Sequence, residues 1–193
     1  MAVSSEPHDF ELIGGFEKRK ITIVSYQSSW PRKFQEHADI ITQALDHALL
    51  QVEHIGSTSV PGLGAKPVID ILAVVNNSGN EASYLSQLQK AGYELRVREP
   101  DWYEHRMLRT PEKDVHIHVF SLGCPEIERY LLFRDRLRNH PEERDRYESV
   151  KRQLAARDWP DMNFYAEAKT EVVEQIIDAA RAEKMRGQKT KKT

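Results

Sequence analysis

A chain of 193 residues, 39% hydrophobic and 30% charged, suits one folded domain with a helical appendage. Its 28 Lys and Arg against 30 Asp and Glu leave a net charge of −2, which argues against a polyanion binder by bulk charge. No run approaches the roughly 18 apolar residues of a membrane span, and the single cysteine, Cys124, excludes an intrachain disulfide and fits a reducing compartment.

In chain order, residues 1–19 read as a flexible arm ending in Gly14-Gly15 and a charged cluster. The first twenty residues carry acids and no apolar core, which argues against a secretory signal, so the cytoplasm is the expected address. "KITIVSY" (20–26) alternates and is β-branched, predicting a strand. In the next segment Ser28 or Ser29 can cap a helix and Pro31 suits its first turn; Trp30, Phe34, Ala38, Ile41, Leu45 and Leu49 then recur at helical spacing. "VEHI" (52–55) predicts a short strand running into a Gly-Ser turn. "KPVIDILAVV" (66–75) predicts a strand covered on both faces. A helix from Glu81 to Tyr93 with Gly92 as its stop follows. Strands are expected at 93–99, 105–110 and 114–120. From Pro125 the pattern turns helical: Pro141 breaks the first piece, a second runs to about Asp158, and a third begins near Asp161. The segment from Arg181 holds Arg181, Lys184, Arg186, Lys189, Lys191 and Lys192 against Glu183, and residues 183–193 read as a basic, disordered, solvated tail.

The chemistry concentrates in "EHIGSTSVPGLGAKPVIDILAVV" (53–75). Gly56 after a strand lets backbone approach a ligand, and Ser57, Thr58 and Ser59 add hydroxyls suited to phosphate. The loop lacks the GKS or GKT of a Walker-type loop, and as a structural turn it would look much the same. Lys66 can reach a phosphate or lie solvated. Asp70 shares one strand face with Val68, Leu72 and Val74. A carboxylate in an apolar layer needs a partner, and two are open: hydrogen bonds from the Ser57–Ser59 turn, or a metal. "DVHIHVF" places Asp114, His116 and His118 on one face of a neighbouring strand, about 6.5–7 Å apart along it. Imidazole and carboxylate donors from adjacent strands can hold a divalent ion. Glu53 and His54 extend the cluster but point to opposite faces of their strand. Arg134 and Arg138, and Tyr165 and Lys169, are i, i+4 pairs on later helices. They form either a solvated face or a wall that neutralises a polyphosphate.

"EHIGSTSVPGLGAKPVIDI", "HIHVF", "LFRDRLRNHPEERDRYESVK" and "FYAEAK", in this order over roughly residues 20–180, resemble the GrpB family. That family is regarded as having the fold of the DNA polymerase beta-like nucleotidyltransferases, and it occurs fused to dephospho-coenzyme A kinase in some bacteria. The resemblance implies an α/β (α+β) class: a nucleotidyltransferase-like mixed β-sheet with flanking helices, followed by a C-terminal helical segment. The domain would span 20–182, with an α/β part at 20–124 and a helical part at 125–182. In the nucleotidyltransferase pattern a Gly-Ser turn precedes an acid–hydrophobic–acid triplet, with a third acid on a neighbouring strand. Gly56-Ser57 matches the turn and Asp70 the first acid. Leu72 stands where the second belongs, and "HIH" lies on the third acid's strand.

On this basis Asp70, His116 and His118 are the candidate catalytic residues, and with Glu53 the candidate ligands of a divalent metal: Mg²⁺ or Mn²⁺, with Zn²⁺ a further candidate. Gly56, Ser57, Thr58, Ser59, Lys66, Arg134, Tyr165 and Lys169 are the candidate phosphate-binding set. The expected partner is a nucleotide or phosphorylated small molecule, not nucleic acid or membrane. Nucleotidyl transfer to an acceptor is one reading of the activity. A non-catalytic phosphoryl-ligand module is the alternative, favoured by Leu72, and metal-dependent hydrolysis is a third. Helices from Glu126 to Ala180 are expected to wall the cleft, with Arg134 and Lys169 pointing to the Gly56–Ser59 turn.

Overall fold

Two neighbouring interior strands, β3 (Ile69–Val75) and β6 (Val115–Ser121), run parallel in a six-stranded sheet. The computed structural model describes residues 11–15, 17, 20–159 and 162–190. The sheet is completed by β1 (Glu11–Leu12), β2 (Gln51–Ile55), β4 (Glu94–Glu99) and β5 (His105–Arg109), in the order β1-β4-β5-β6-β3-β2. Every neighbouring pair other than β3·β6 is antiparallel.

The period of two along β3 and β6 sorts the sheet into two unlike faces. Ile69, Ile71, Ala73 and Val75 join Val115, Ile117 and Val119 in an apolar layer under α1 (Trp30–Leu45) and α2 (Leu85–Lys90), which contribute Trp30, Ile41, Leu45 and Leu88. The opposite face carries Leu72, Val74 and Phe120, which pack with Ile55 against Ile127, Tyr130 and Leu131 of α3 (Pro125–Asn139). Phe120 is fully buried, and deleting such a ring costs about 3–5 kcal/mol. The same face also carries Asp70, His116 and His118, which line a cavity together with Tyr130 of α3. α4 (Pro141–Ala155), α5 (Met162–Glu167) and α6 (Thr170–Thr190) complete the helical half. Phe133 and Leu137 of α3, Tyr147 of α4 and Val172, Ile176 and Ile177 of α6 enclose Val60 and Leu63, so the loop after β2 is embedded in the helical core.

Several expectations are corrected. Residues 20–26 form no strand; Val24 and Ala65 make one isolated bridge. The alternation instead sends Ile21 and Ile23 against Leu154 and Tyr165. The part of the N-terminal arm that is described is paired, not free: Glu11–Leu12 add to β4, and the Arg96 guanidinium donates to the carbonyls of Ile13 and Gly15. Residues 1–10, 16, 18 and 19 lie outside the described residues. α1 stops at Leu45, where Asp46 turns to φ 45°, rather than reaching Leu49. β3 starts at Ile69, since Pro67 has no N–H to donate and Val68 N–H closes a local turn onto Lys66. The helix predicted over 81–93 is a tight turn at 81–83 followed by the six-residue α2. The basic tail predicted from residue 183 is helical as far as Thr190, and Lys184 pairs with Glu128 of α3. Residues 191–193 lie outside the described residues.

Candidate metal and anion site

Asp70 sits opposite His116 in the β3·β6 register, and Leu72 sits opposite His118. Asp70 Oδ1 lies 3.5 Å from His116 Nδ1 and 3.8 Å from His118 Nε2. One donor atom from each residue falls within 4.8 Å of the other two. Donors about 2.1 Å from a tetrahedral ion stand about 3.4 Å apart, so this triad is nearly closed to coordination distance. Burial works against the Asp70 charge, but the two imidazoles outweigh it and hold the carboxyl well below the usual carboxylate range. The three side chains are half-buried, exposed only in part at the floor of a cavity of about 1160 Å³.

The turn beside them is built around a glycine. Gly56 has φ 68° and ψ −175°, a conformation essentially restricted to glycine. A Cβ there would stand 2.4 Å from Asp70 Oδ2. The hydroxyls that follow bond elsewhere than Asp70: Thr58 Oγ1 donates to Val68 O, and Ser59 Oγ donates to Gly56 O. Ser57 meets the Tyr147 hydroxyl of α4 across the cavity. The near polar side chains of Asp70 are therefore the two imidazoles and not the hydroxyls of Thr58 and Ser59. From α4, Glu148 accepts the Gly64 N–H at 2.6 Å, and Lys151 donates to the Gly64 carbonyl.

Cations gather on the wall facing the triad. Lys169 Nζ lies 4.5 Å and Lys66 Nζ 5.3 Å from the centre of the Tyr165 ring. Lys151 Nζ lies 4.7 Å from that of Tyr147. Burial, aided by the nearby Lys169 charge, lowers Lys151 to about 7. Burial and Lys66 lower Lys169 to about 8, against the pull of Asp70. These ammonium groups repel one another in a poorly solvated space, and an anion between them would relieve the cost.

Of the residues singled out from the sequence, Gly56, Ser57, Thr58, Lys66, Asp70, His116, His118, Tyr165 and Lys169 line this one cavity. The others do not. Glu53 and Arg134 pair with each other at 2.7 Å beside a second groove of about 520 Å³, where Ser59 also lies. Arg138 donates to the Ser59 carbonyl there. Asp114 turns to the α1 face, bonded to Thr110 and Lys33. His54 lies on that side too, stacked on Phe34 with its Nε2 at Thr58 Oγ1. Burial lowers it to about 4. Unforeseen members are Tyr147, Lys151, Tyr130, Glu99 and His105. Lys151 was findable: it stands four residues after Tyr147 and three before Leu154, on a face otherwise apolar.

The family profile described as "GrpB protein" matches residues 20–179. A UPF0157 protein of Halalkalibacterium halodurans is 50% identical over 162 residues, 84% of this chain and 83% of its own. The chain belongs to the GrpB family. Among solved structures, the conserved protein GrpB from Enterococcus faecalis superposes with a TM-score of 0.66 at 33% identity, covering 80% of this chain and 98% of that one. The structure of a GLD-2/RNP-8 complex gives a TM-score of 0.52 at 16% identity, over 80% of this chain and 60% of that one. The fold is nucleotidyltransferase-like. In this GrpB chain Leu72, expected from the sequence resemblance to stand where the nucleotidyltransferase pattern has its second acid, is fully buried beside Ile55, Val74 and Phe120. One carboxylate and two imidazoles can hold one divalent ion. They do not supply the several carboxylates that balance a pair.

Proposed function

We propose that this GrpB chain binds a nucleotide or other phosphorylated ligand together with one divalent ion. The ion would sit on Asp70, His116 and His118, and the phosphates would lie between it and the lysine wall. One observation carries the reading. A metal-type donor triad and a cluster of charge-strained lysines face one another across a single cavity, with the Ser57 turn at its edge. Phe164, half exposed on α5 and lining the same cavity, offers a face for a base to stack on. The single cysteine and the lack of a membrane-crossing helix among the described residues support a cytoplasmic setting.

The reading stops at binding because Leu72 removes a charge that two-metal nucleotidyl transfer uses. A second reading, transfer with a single ion, is favoured by the placement of Ser57 and Lys169 beside the triad. Thermal unfolding with the four ribonucleoside triphosphates and with pyrophosphate, each with and without Mn²⁺ or Zn²⁺, tests the first. A ligand at 100 times its dissociation constant adds about 2.7 kcal/mol. Stabilisation that needs phosphate and metal together is expected, and no stabilisation by any combination rejects the reading. Release of pyrophosphate from a bound triphosphate, with the nucleotidyl group recovered on an acceptor rather than as the free monophosphate, would establish the second.

A further inference from the structure

The triad is backed by a chain of hydrogen-bonding groups running away from the cavity. His118 presents Nε2 to Asp70, and its Nδ1 lies 3.1 Å from Nε2 of His105 on β5. His105 Nδ1 in turn lies 2.5 Å from Glu99 Oε2 on β4. The cross-strand pairing of Glu99 with His105 fixes the outer link, and the pairing of Met107 with His118 sets β5 beside β6. His105 is 4% exposed, its ring stacked on Phe120 at 4.6 Å and met edge-on by Trp102 at 5.1 Å.

The order of protons along this chain follows from the acceptor at its end. A carboxylate only accepts, so Glu99 takes the N–H from His105 Nδ1. A second proton on His105 would put a charge on a ring that is 4% exposed and stacked on Phe120, where burial disfavours it. With one proton, His105 Nε2 is an acceptor, and the group facing it, His118 Nδ1, must be the donor. His118 then has a bare Nε2 lone pair aimed at the carboxylate of Asp70. A cation between that nitrogen and the carboxylate, a proton in the metal-free protein or a metal ion in its place, makes the contact favourable.

Resting on the metal reading above, we propose that Glu99 and His105 are positioning residues that hold His118 as an Nε2 donor. They make the triad a site for one borderline transition ion of the Zn²⁺ or Co²⁺ class rather than for Mg²⁺. Outer-shell carboxylate and imidazole partners of this kind fix ring orientation and raise the basicity of the metal-binding nitrogen. Two imidazoles among three donors suit borderline ions, whereas Mg²⁺ prefers oxygen and keeps its waters.

The test uses the full chain in two steps. Long-range ¹H–¹⁵N spectra of the metal-free protein report which ring nitrogen carries the proton. The expected result is Nδ1–H on both His105 and His118. A His118 whose Nδ1 carries no proton overturns the relay whatever the metal does. Calorimetric titration with Zn²⁺, Co²⁺, Mn²⁺ and Mg²⁺ alone follows. One transition ion per chain is expected, with a Co²⁺ absorption spectrum and no competition from millimolar Mg²⁺. His105→Phe, checked for fold by circular dichroism, is expected to lower Zn²⁺ affinity 10–100-fold. Glu99→Ala, at the half-exposed outer end, gives the same direction if the buried ring cannot be replaced. Unchanged affinity in both variants rejects the relay and leaves the triad standing. Mg²⁺ binding as tightly as Zn²⁺ rejects the ion class. No binding of any ion to the wild type, or full binding in His118→Ala, rejects the metal reading itself.

Discussion

At the scale of single residues, Gly56 and Asp70 are one feature. The glycine conformation that only glycine tolerates is also the one that brings the backbone against the carboxylate. Gly56→Ala is therefore expected to cost about 1–3 kcal/mol from backbone strain, and to displace Asp70 as well. Urea unfolding measures the first, and loss of metal binding in the folded mutant reports the second. A mutant of wild-type stability would mean that the turn relaxes freely. Asp70→Asn keeps the shape and tests the charge. Because the folded carboxyl is held below its ordinary range, the unfolded chain takes up this proton first as pH falls below about 4. Wild-type stability should thus drop through that range more steeply than that of Asp70→Asn, while metal binding at neutral pH is lost in the mutant. Parallel acid limbs would show that the imidazoles do not support the Asp70 charge. This pair was readable from sequence, because a glycine before a hydroxyl run and an acid inside an apolar strand are both local exceptions. Glu99 and His105 were not, since each looks ordinary within its own strand and gains meaning only from cross-strand pairing.

At the scale of elements, β3 and β6 were legible because period-two alternation and β-branching agree with burial on both faces. Residues 20–26 show the same alternation without the outcome: it is used for packing against Leu154 and Tyr165, not for a ladder. Local pattern reports that a segment has a buried side and is silent on what covers it. The contact between α4 and the 60–64 loop is a further case, invisible because the Gly64–Glu148 bond spans 84 residues. Its consequence is testable. Glu148→Ala leaves the Gly64 N–H without its charged acceptor and frees Arg152 Nε, which donates to the same carboxylate. A loss of about 1–3 kcal/mol is expected. The Ser57 turn should also loosen, so amide exchange from Val60 to Gly64 should speed up more than exchange in β3. Equal acceleration in both would mean that the mutation lowers global stability alone and that α4 does not clamp the loop.

At the scale of the whole molecule, the near-neutral net charge hides a local excess of positive charge between two halves of the chain. Lys66 comes from the loop before β3, Lys151 from α4 and Lys169 from the break between α5 and α6, so only the folded chain forces them together. The groups facing them are Glu148, Arg152, Asp70 and the Tyr147 and Tyr165 rings. In the unfolded chain these lysines keep an ordinary pKa of about 10.4, whereas folding lowers Lys151 to about 7 and Lys169 to about 8. Between those values and 10.4 the unfolded state binds more protons, so stability rises with pH. A gain of about 3–4 kcal/mol is expected from pH 7 to pH 9 in metal-free buffer, below the range where tyrosine ionisation interferes. Pyrophosphate supplies the missing negative charge, so it should stabilise the protein more at pH 7, where Lys169 is charged and Lys151 takes up its proton readily, than at pH 9, where both have lost theirs. Lys169→Met should flatten the pH profile and reduce the pyrophosphate effect together. Calorimetry at the two pH values, with and without pyrophosphate, decides the matter. A pyrophosphate effect that is independent of pH, or one that survives Lys169→Met intact, would place the anion elsewhere than between the lysines and the triad.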